Sequence, residues 1–190
     1  MHGFHYKNGK LFCEGVEIES LIEECRTPAY IYSQRTIAEN VRRLETAMAP
    51  VDATICYAVK ANSSLGILGL MACLGTGFDV VSVGELKKVK QAGGETGRCV
   101  FAGVGKTEEE IRTALELGIY SFNVESEPEL ERINRIAGSL RKKAPIAVRV
   151  NPNVDAGTHK KITTGTYENK FGLAFEEVEE LYRKAKTKWK

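Results

Sequence analysis

Five short apolar runs recur along the chain at nearly constant spacing, and this repeat constrains the fold more than any other feature. Their landmark residues, from Lys60 to Arg149, are separated by 19, 23, 21 and 26 positions. This is the period of consecutive βα units, in which a crossover helix joins two parallel strands. The pattern predicts strands at residues 55–59, 78–81, 99–102, 121–124 and 146–150.

Amphipathic segments lie between and after these runs, and several carry helix signals at their ends. Thr107 is placed to cap a helix that ends before Gly118, and Glu127 with Pro128 opens another. The pattern predicts helices at residues 65–73, 83–91, 108–117, 127–140 and 175–190.

Five or so βα units fit part of a TIM-type (β/α)8 barrel, which takes about 250 residues and eight units. The chain has 190 residues, and its last predicted helix is followed by no strand. We therefore expect a truncated barrel, whose missing strands would leave open sheet edges.

The first 50 residues precede this repeat and follow a different pattern. Asn8 and Gly9 suit a tight hairpin turn between extended flanks. The spacing of apolar residues predicts a helix within 16–25, a short strand at 29–32, and then a helix that Ser33 caps.

The charge balance excludes two classes of partner. The 27 basic and 25 acidic residues leave a net charge of +2, too small to indicate nucleic acid or a membrane surface. No apolar run approaches the ~20 residues that span a bilayer, and the N-terminus lacks a signal-peptide pattern. We expect no membrane contact and a cytoplasmic location.

The five cysteines stand at irregular positions without a Cys-x-x-Cys pair. This spacing favours neither a disulfide framework nor a zinc site. His2 and His5 have no third or fourth ligand nearby in the sequence, so we predict no metal.

Lys60 closes the first apolar run and is followed at once by a predicted loop. The carboxyl ends of parallel strands carry the chemistry of barrels and doubly wound folds. Partial desolvation there would disfavour the charged amine and make Lys60 a nucleophile or Schiff-base partner. The alternative is a lysine that leaves the sheet and extends its ammonium group to water.

Two more charged residues fall within predicted buried strands. Asp79 is costly to bury unless it is paired, and Lys60 on the neighbouring strand is the obvious partner. The alternative for this stretch is a solvated carboxylate followed by a helix cap at Ser82. Arg149 is always charged, so its burial requires a carboxylate or phosphate partner.

Gly105, Lys106 and Thr107 follow a predicted strand and precede a helix, as in a phosphate-binding loop. Such a loop needs a glycine five residues before Gly105, where this chain has Val100, so an NTPase is disfavoured. The next strand end, residues 122–126, is interpreted as strand core followed by a capping Ser126.

The segments around Lys60 and Asp79 resemble motifs of the fold-type III pyridoxal-phosphate decarboxylases. This family contains diaminopimelate, ornithine and biosynthetic arginine decarboxylases. Residues 57–62 (Tyr-Ala-Val-Lys-Ala-Asn) are similar to the family's cofactor-lysine motif. Residues 77–86 resemble its second signature, with Val83 where the family usually has glycine. Segments 103–106 and 122–126 match strand ends of the family.

The polar loop at residues 155–172 carries the most specific resemblance. A polar loop of this length inside a βα unit indicates a function. On its own, His159 is as consistent with a surface histidine as with a ligand contact. Together with Ile162 and the following Lys-Phe-Gly, however, it is similar to the substrate loop of diaminopimelate decarboxylases.

The resemblance implies a barrel of the alanine racemase-like type with pyridoxal 5'-phosphate as cofactor. Lys60 would hold the cofactor covalently, while Asp79 and Arg149 would shape the charge around it. His159 and Ile162 would close over a small amino-acid substrate. The implied reaction is decarboxylation of meso-diaminopimelate to L-lysine, the last step of lysine biosynthesis, catalysed by a carbon–carbon lyase.

The resemblance also implies a division of the chain and an assembly. Residues 1–28 would pack with a C-terminal β-domain, and residues 29–190 would form the partial barrel of a protein that is a homodimer at full length. We expect the chain by itself to be weakly active or inactive. Two alternatives stay open: an ornithine, arginine or carboxynorspermidine decarboxylase, and a non-catalytic half-barrel that binds a partner.

Overall fold

A computed structural model describes residues 3–151 and 172–188 of the chain. It divides into two compact units, Met1–Thr54 and Ile55–Lys190. The predicted division into residues 1–28 and 29–190 rests on packing of the first segment against a C-terminal β-domain. It stays a prediction.

The first unit opens with the predicted hairpin. Strands β1 (Phe4–Lys7) and β2 (Lys10–Cys13) pair antiparallel, with Lys7 opposite Lys10. The two turn residues between them, Asn8 and Gly9, have φ angles of 51° and 75°. Positive φ at both positions is the type I′ geometry that this dipeptide favours.

The helix predicted within residues 16–25 starts later than the apolar spacing indicated. Val16 and Glu17 form a third strand, β3 (Val16–Glu17), because their backbones pair with β2. Helix α1 (Ile18–Cys25) then follows directly.

Helix α2 (Gln34–Met48) is capped as predicted by Ser33, whose Oγ accepts a hydrogen bond from the Thr36 N–H at 3.1 Å. The strand predicted at residues 29–32 is wrong. This described stretch has no strand partner, and Tyr30 is 89% exposed within it. Without a neighbour for its backbone, a β-favouring tetrapeptide does not form a strand.

The second unit contains a five-stranded parallel sheet in sequential order. Its strands are β4 (Cys56–Ala58), β5 (Gly77–Val80), β6 (Cys99–Phe101), β7 (Ser121–Val124) and β8 (Ile146–Val148). Each falls within or next to a predicted run. Adjacent sequential strands joined by helices are consecutive βα units of a barrel.

The helices of this unit also confirm the predicted pattern. They are α3 (Leu65–Cys73), α4 (Val83–Gln91), α5 (Glu108–Leu117), α6 (Glu127–Ser139) and α7 (Phe175–Lys188). Thr107 and Glu110 form a reciprocal capping box at the start of α5, and Gly118 ends that helix with a left-handed φ of 67°.

The strand predicted at residues 146–150 is interrupted at Arg149. Its second part, β9 (Val150–Asn151), pairs with β10 (Leu173–Ala174) rather than with β7. The Arg149 N–H donates to the Val124 carbonyl at 2.8 Å, and the Arg149 carbonyl accepts from the Leu173 N–H at 2.9 Å. The pairing partner therefore changes at this residue.

The two faces of the five-stranded sheet differ in exposure. Side chains alternate between faces along each strand. In the three central strands, one face is fully buried and forms the core with helix residues such as Ile111 and Ile133. Its members are Phe78, Val80, Phe101, Phe122 and Val124. On the other face, Asp79 and Asn123 are only half-buried.

All five cysteine thiols are free. Cys13 and Cys99 are buried, whereas Cys25 and Cys73 are exposed. Burial, with a smaller contribution from Cys56, raises the pKa of the Cys99 thiol to about 12.

Within the described ranges, no helix combines the length and apolarity needed to cross a bilayer. The same part of the chain holds no group of three or more His, Cys, Asp or Glu side chains placed to bind a metal ion.

Candidate active site

The carboxyl ends of the parallel strands meet at one edge of the sheet, and three of the predicted site residues lie there. Lys60 follows β4, Asp79 lies in β5, and Arg149 follows β8. Asp79 is aligned with Ala58 on the neighbouring strand, two residues before Lys60. Arg149 is three strands away from β5, roughly 14 Å along the sheet at ordinary strand spacing.

Lys60 occupies a single 3-10 turn, Val59–Ala61, that ends the first strand of the unit. Val59 is fully buried and anchors this turn, while the Tyr57 hydroxyl donates to the Asn62 carbonyl at 3.2 Å. The prediction that Lys60 is partly desolvated is wrong, because its side chain is exposed. Lys60 follows an edge strand of the five-stranded sheet, so no further strand of that sheet shields it.

Asp79 has an unused hydrogen-bonding atom. Its Oδ1 is buried and has no hydrogen-bond partner among the described residues. Burial raises the pKa of the Asp79 carboxyl, the Lys60 ammonium partly offsets this rise, and the Glu85 carboxylate adds to it. The predicted Lys60–Asp79 ion pair is wrong, since no such pair joins these two side chains in the described structure. An unsatisfied buried acceptor costs about 1–3 kcal/mol, so this oxygen requires a hydrogen-bond donor from outside the described residues.

The loop after Asp79 is fixed by the start of α4. Ser82 Oγ accepts from the Glu85 N–H at 3.2 Å, which confirms the predicted cap. Glu85 Oε2 accepts in turn from the Val81 N–H at 2.7 Å. These contacts hold the backbone beside Asp79 in one conformation.

The prediction that Arg149 is buried is wrong, because the residue is exposed. The anionic partner predicted for it is present, and that partner is Glu125. Arg149 Nη1 lies 3.2 Å from both carboxylate oxygens of Glu125. The Glu125 side chain is only 4% exposed, whereas the Arg149 side chain is 42% exposed. The exposed Arg149 side chain is therefore anchored on a buried carboxylate.

Gly172 lies against the Arg149 backbone at a φ of 93°. A Cβ built at this glycine would stand 2.8 Å from the Arg149 carbonyl oxygen. Both the φ angle and the close approach require glycine here.

Sequence reasoning missed a buried ion pair behind this site. Lys106 Nζ donates to Glu129 Oε1 at 2.7 Å, to the Gly103 carbonyl at 2.7 Å and to the Asn123 carbonyl at 2.9 Å. These three bonds use all three N–H donors of the ammonium group. In the sequence, Lys106 stands in a Gly-Lys-Thr segment between a predicted strand and a helix, and nothing there indicates Glu129 as its partner.

Glu125 was also missed, although its segment was examined. The predicted cap is confirmed, because Ser126 Oγ accepts from the Glu129 N–H at 3.4 Å. The available signal was a carboxylate directly after one predicted strand and an arginine within the next. His159 and Ile162, the predicted substrate residues, lie outside the described residues.

The chain matches a family model over most of its length. The model describes the pyridoxal binding domain of pyridoxal-dependent decarboxylases, and residues 34–189 match it. The chain belongs to this family. Its members are pyridoxal-phosphate-dependent decarboxylases, which are lyases.

Curated relatives agree with the family assignment. The chain is 50% identical over 185 residues to the diaminopimelate decarboxylase of Pseudomonas aeruginosa, covering 97% of the chain and 45% of that protein. It is 50% identical over 186 residues to the diaminopimelate decarboxylase of Vibrio cholerae, with the same coverage. The chain thus spans just under half the length of these relatives and corresponds to their N-terminal part.

Solved structures confirm the partial barrel. The diaminopimelate decarboxylase of Helicobacter pylori complexed with L-lysine aligns at a TM-score of 0.86 and 45% identity, covering 90% of this chain and 43% of that one. The enzyme of M. jannaschii in co-complex with L-lysine aligns at 0.84 and 38% identity, covering 97% and 44%. A Paramecium bursaria Chlorella virus arginine decarboxylase bound to agmatine is less similar, at 0.66 and 28% identity with 80% and 38% covered.

The residues present fit the family's cofactor. Pyridoxal phosphate needs an amine to hold its aldehyde, and Lys60 offers an exposed one. The cofactor also carries polar ring atoms and a phosphate. The buried Asp79 carboxyl, whose Oδ1 has no hydrogen-bond partner among the described residues, and the positively charged Arg149 side chain are of the kind that such groups require.

Proposed function

We propose that this chain supplies Lys60, Asp79 and Arg149 to the pyridoxal-phosphate site of a diaminopimelate decarboxylase, which converts meso-diaminopimelate to L-lysine and carbon dioxide. The observation that carries the proposal is the pair of neighbouring strand ends with an exposed Lys60 amine beside the orphaned Asp79 Oδ1. Family membership supports the cofactor, and relatives about half identical in sequence support the substrate.

Each of the three residues has a separate task in this proposal. Lys60 Nζ would hold the cofactor aldehyde, and as a free amine it would carry a proton. Asp79 binds a proton more readily than an ordinary aspartate, because its pKa is raised, and its Oδ1 would complete its hydrogen bonding on the cofactor. Arg149 would supply a permanent positive charge. When bound, pyridoxal phosphate delocalises the electron pair left by loss of carbon dioxide.

Capture of the cofactor by Lys60 tests this proposal directly. The purified chain would be incubated with pyridoxal 5'-phosphate, treated with borohydride, digested and analysed by peptide mass spectrometry. We expect the cofactor mass on the peptide that contains Lys60 and its loss in Lys60→Ala. Lys87→Ala is the matched control, because Lys87 is another exposed lysine of the same unit. Equal labelling of Lys60 and Lys87 would refute a dedicated site.

Substrate choice needs a second measurement. Diamino acids added to the cofactor-loaded chain should change its visible absorbance, and meso-diaminopimelate should do so at a lower concentration than L-ornithine or L-arginine. A preference for ornithine or arginine would favour one of those decarboxylases. Absence of any response, together with unlabelled Lys60, would favour a non-catalytic binding module.

Activity and assembly belong to the same proposal. The chain spans 45% of its curated relatives, so we expect it alone to release carbon dioxide from meso-diaminopimelate weakly or not at all. His159 and Ile162 are proposed to contact the substrate. The full-length protein is proposed to be a cytoplasmic homodimer.

A further inference from the structure

A buried ion pair lies behind Arg149, and the function proposed above does not use it. Lys106 comes from the connection between β6 and α5, and Glu129 from the first turn of α6. Their side chains are 1% and 7% exposed, and the Lys106 ammonium also lies 5.6 Å from the centre of the Phe101 ring. Neither charge is therefore available to a ligand in solution.

The two oxygens of Glu129 serve two different donors. Oε1 accepts from Lys106 Nζ at 2.7 Å, and Oε2 accepts from the backbone N–H of Glu125 at 2.8 Å. A glutamate at this helix position ordinarily bonds the N–H of the capping residue itself. Here it reaches one residue further back and fixes the residue whose carboxylate holds Arg149.

Lys106 also bonds the backbone at the carboxyl ends of two neighbouring strands. Its bonds to the Gly103 and Asn123 carbonyls hold the backbone after β6 and at the end of β7. The carboxylate of Glu125 then holds the guanidinium of Arg149, which follows β8. A continuous chain of contacts thus runs from Lys106 through Glu129 and Glu125 to Arg149.

A buried ion pair is seldom more stabilising than a well-packed apolar pair of similar size. Such a pair fixes the positions of the groups that it joins, because charge-assisted hydrogen bonds are short and directional. We propose that Lys106 and Glu129 are positioning residues, which fix the Glu125 backbone and thereby orient Arg149 toward the cofactor. This inference rests on the proposed function, since it concerns how the same site binds pyridoxal phosphate.

Two charge-balanced double variants test the inference. Lys106→Met with Glu129→Met removes both charges and the acceptor for the Glu125 N–H. Lys106→Met with Glu129→Gln also removes both charges but keeps a carbonyl oxygen that can accept from this N–H. Each would be titrated with pyridoxal 5'-phosphate, and amide hydrogen exchange would be measured at Glu125.

We expect the Met/Met variant to bind the cofactor about tenfold more weakly and the Met/Gln variant to stay within about threefold, as for loss and retention of one hydrogen bond. The Glu125 amide should exchange faster in the Met/Met variant only. In an Arg149→Ala background, the difference between the two double variants should disappear. Equal affinities of the two double variants, or a difference that persists without Arg149, would overturn the inference.

If the Met/Met protein does not fold by circular dichroism, Glu125→Gln takes its place. This change leaves the buried pair intact and weakens only the hold on Arg149, so about tenfold weaker cofactor binding is expected. Unchanged binding would overturn the inference. If the unsubstituted chain captures no cofactor, the proposed function fails, whereas Glu125 amide exchange still decides whether the pair fixes this backbone.

Discussion

Two ion pairs join the start of α5 to helix α6, and they lie in opposite surroundings. In the Lys106–Glu129 pair the side chains are 1% and 7% exposed. In the Glu108–Arg135 pair they are 60% and 62% exposed. Lys106 and Glu108 are two positions apart in the sequence. The difference teaches that the same kind of contact is structural where water is excluded and nearly neutral where it is not.

The largest expected effect comes from breaking the buried pair on one side only. Lys106→Met leaves the Glu129 carboxylate buried without its cation, and we expect a loss of about 3–5 kcal/mol in the free energy of unfolding. Urea denaturation followed by circular dichroism would measure it. The Lys106→Met/Glu129→Met variant is the control and should recover most of the loss. A loss below ~1 kcal/mol in the single variant would mean that water reaches Glu129.

A second change leaves both ion pairs intact and acts at the far end of the buried network. Gly172→Ala places a Cβ 2.8 Å from the Arg149 carbonyl oxygen and in a positive-φ conformation. We expect about 1–3 kcal/mol of destabilisation by urea denaturation and weaker cofactor binding, because the Arg149 backbone must shift. Gly9→Ala, where the hairpin has open space, is a control for the φ effect alone. Equal losses in both variants would contradict a steric role of Gly172.

The capping carboxylate of α5, Glu110, gives a smaller, pH-dependent effect. Burial alone would raise the pKa of Glu110, but hydrogen bonds from Thr107 and Val83 outweigh it and hold the pKa below its ordinary value. The stability that this carboxylate contributes is present above the ordinary carboxyl range and is lost as the pH falls through its lowered pKa.

We therefore expect Glu110→Gln to cost about 1 kcal/mol near neutral pH, the usual worth of a helix cap, and to flatten the acid limb of the stability curve. Thermal unfolding between acid and neutral pH would measure both. An acid limb as steep as that of the unsubstituted chain would contradict the assignment.

The smallest expected effect belongs to the exposed pair. Arg135→Ala should lower the melting temperature by less than about 2 °C, because solvent and salt screen the Glu108 carboxylate. The same variant at high salt should show a smaller difference still. A shift comparable with that of Lys106→Met would erase the contrast between the two pairs.

Much of the fold was predictable from the sequence, because each strand and helix has its own local signal. Apolar runs bounded by caps and glycines gave the five strands and the helices between them. The wrong predictions fall where the pairing of the backbone with a neighbouring strand determines the structure. Residues 29–32 have the composition of a strand but no partner, and the run at 146–150 changes partner at Arg149.

The site was predictable only in part, for the same reason. Lys60, Asp79 and Arg149 are visible because a charged residue inside or after an apolar run is unusual. The Lys106–Glu129 pair is not visible, since each partner has a sufficient local explanation. Lys106 resembles part of a phosphate loop, and Glu129 completes the pattern of a capping box. Only the fold brings together these two residues.

The distribution of free thiols makes the molecule ready for selective chemical labelling. Thiolates react with maleimides, so the thiol of Cys99, with its pKa of about 12, stays almost entirely protonated and inert near neutral pH. Cys25 and Cys73 are exposed, one in each compact unit, whereas Cys13 is buried and Cys56 is half-buried with a thiol pKa raised chiefly by burial. A spectroscopic probe pair attached at these two native positions would report the distance between the units in solution without any added cysteine.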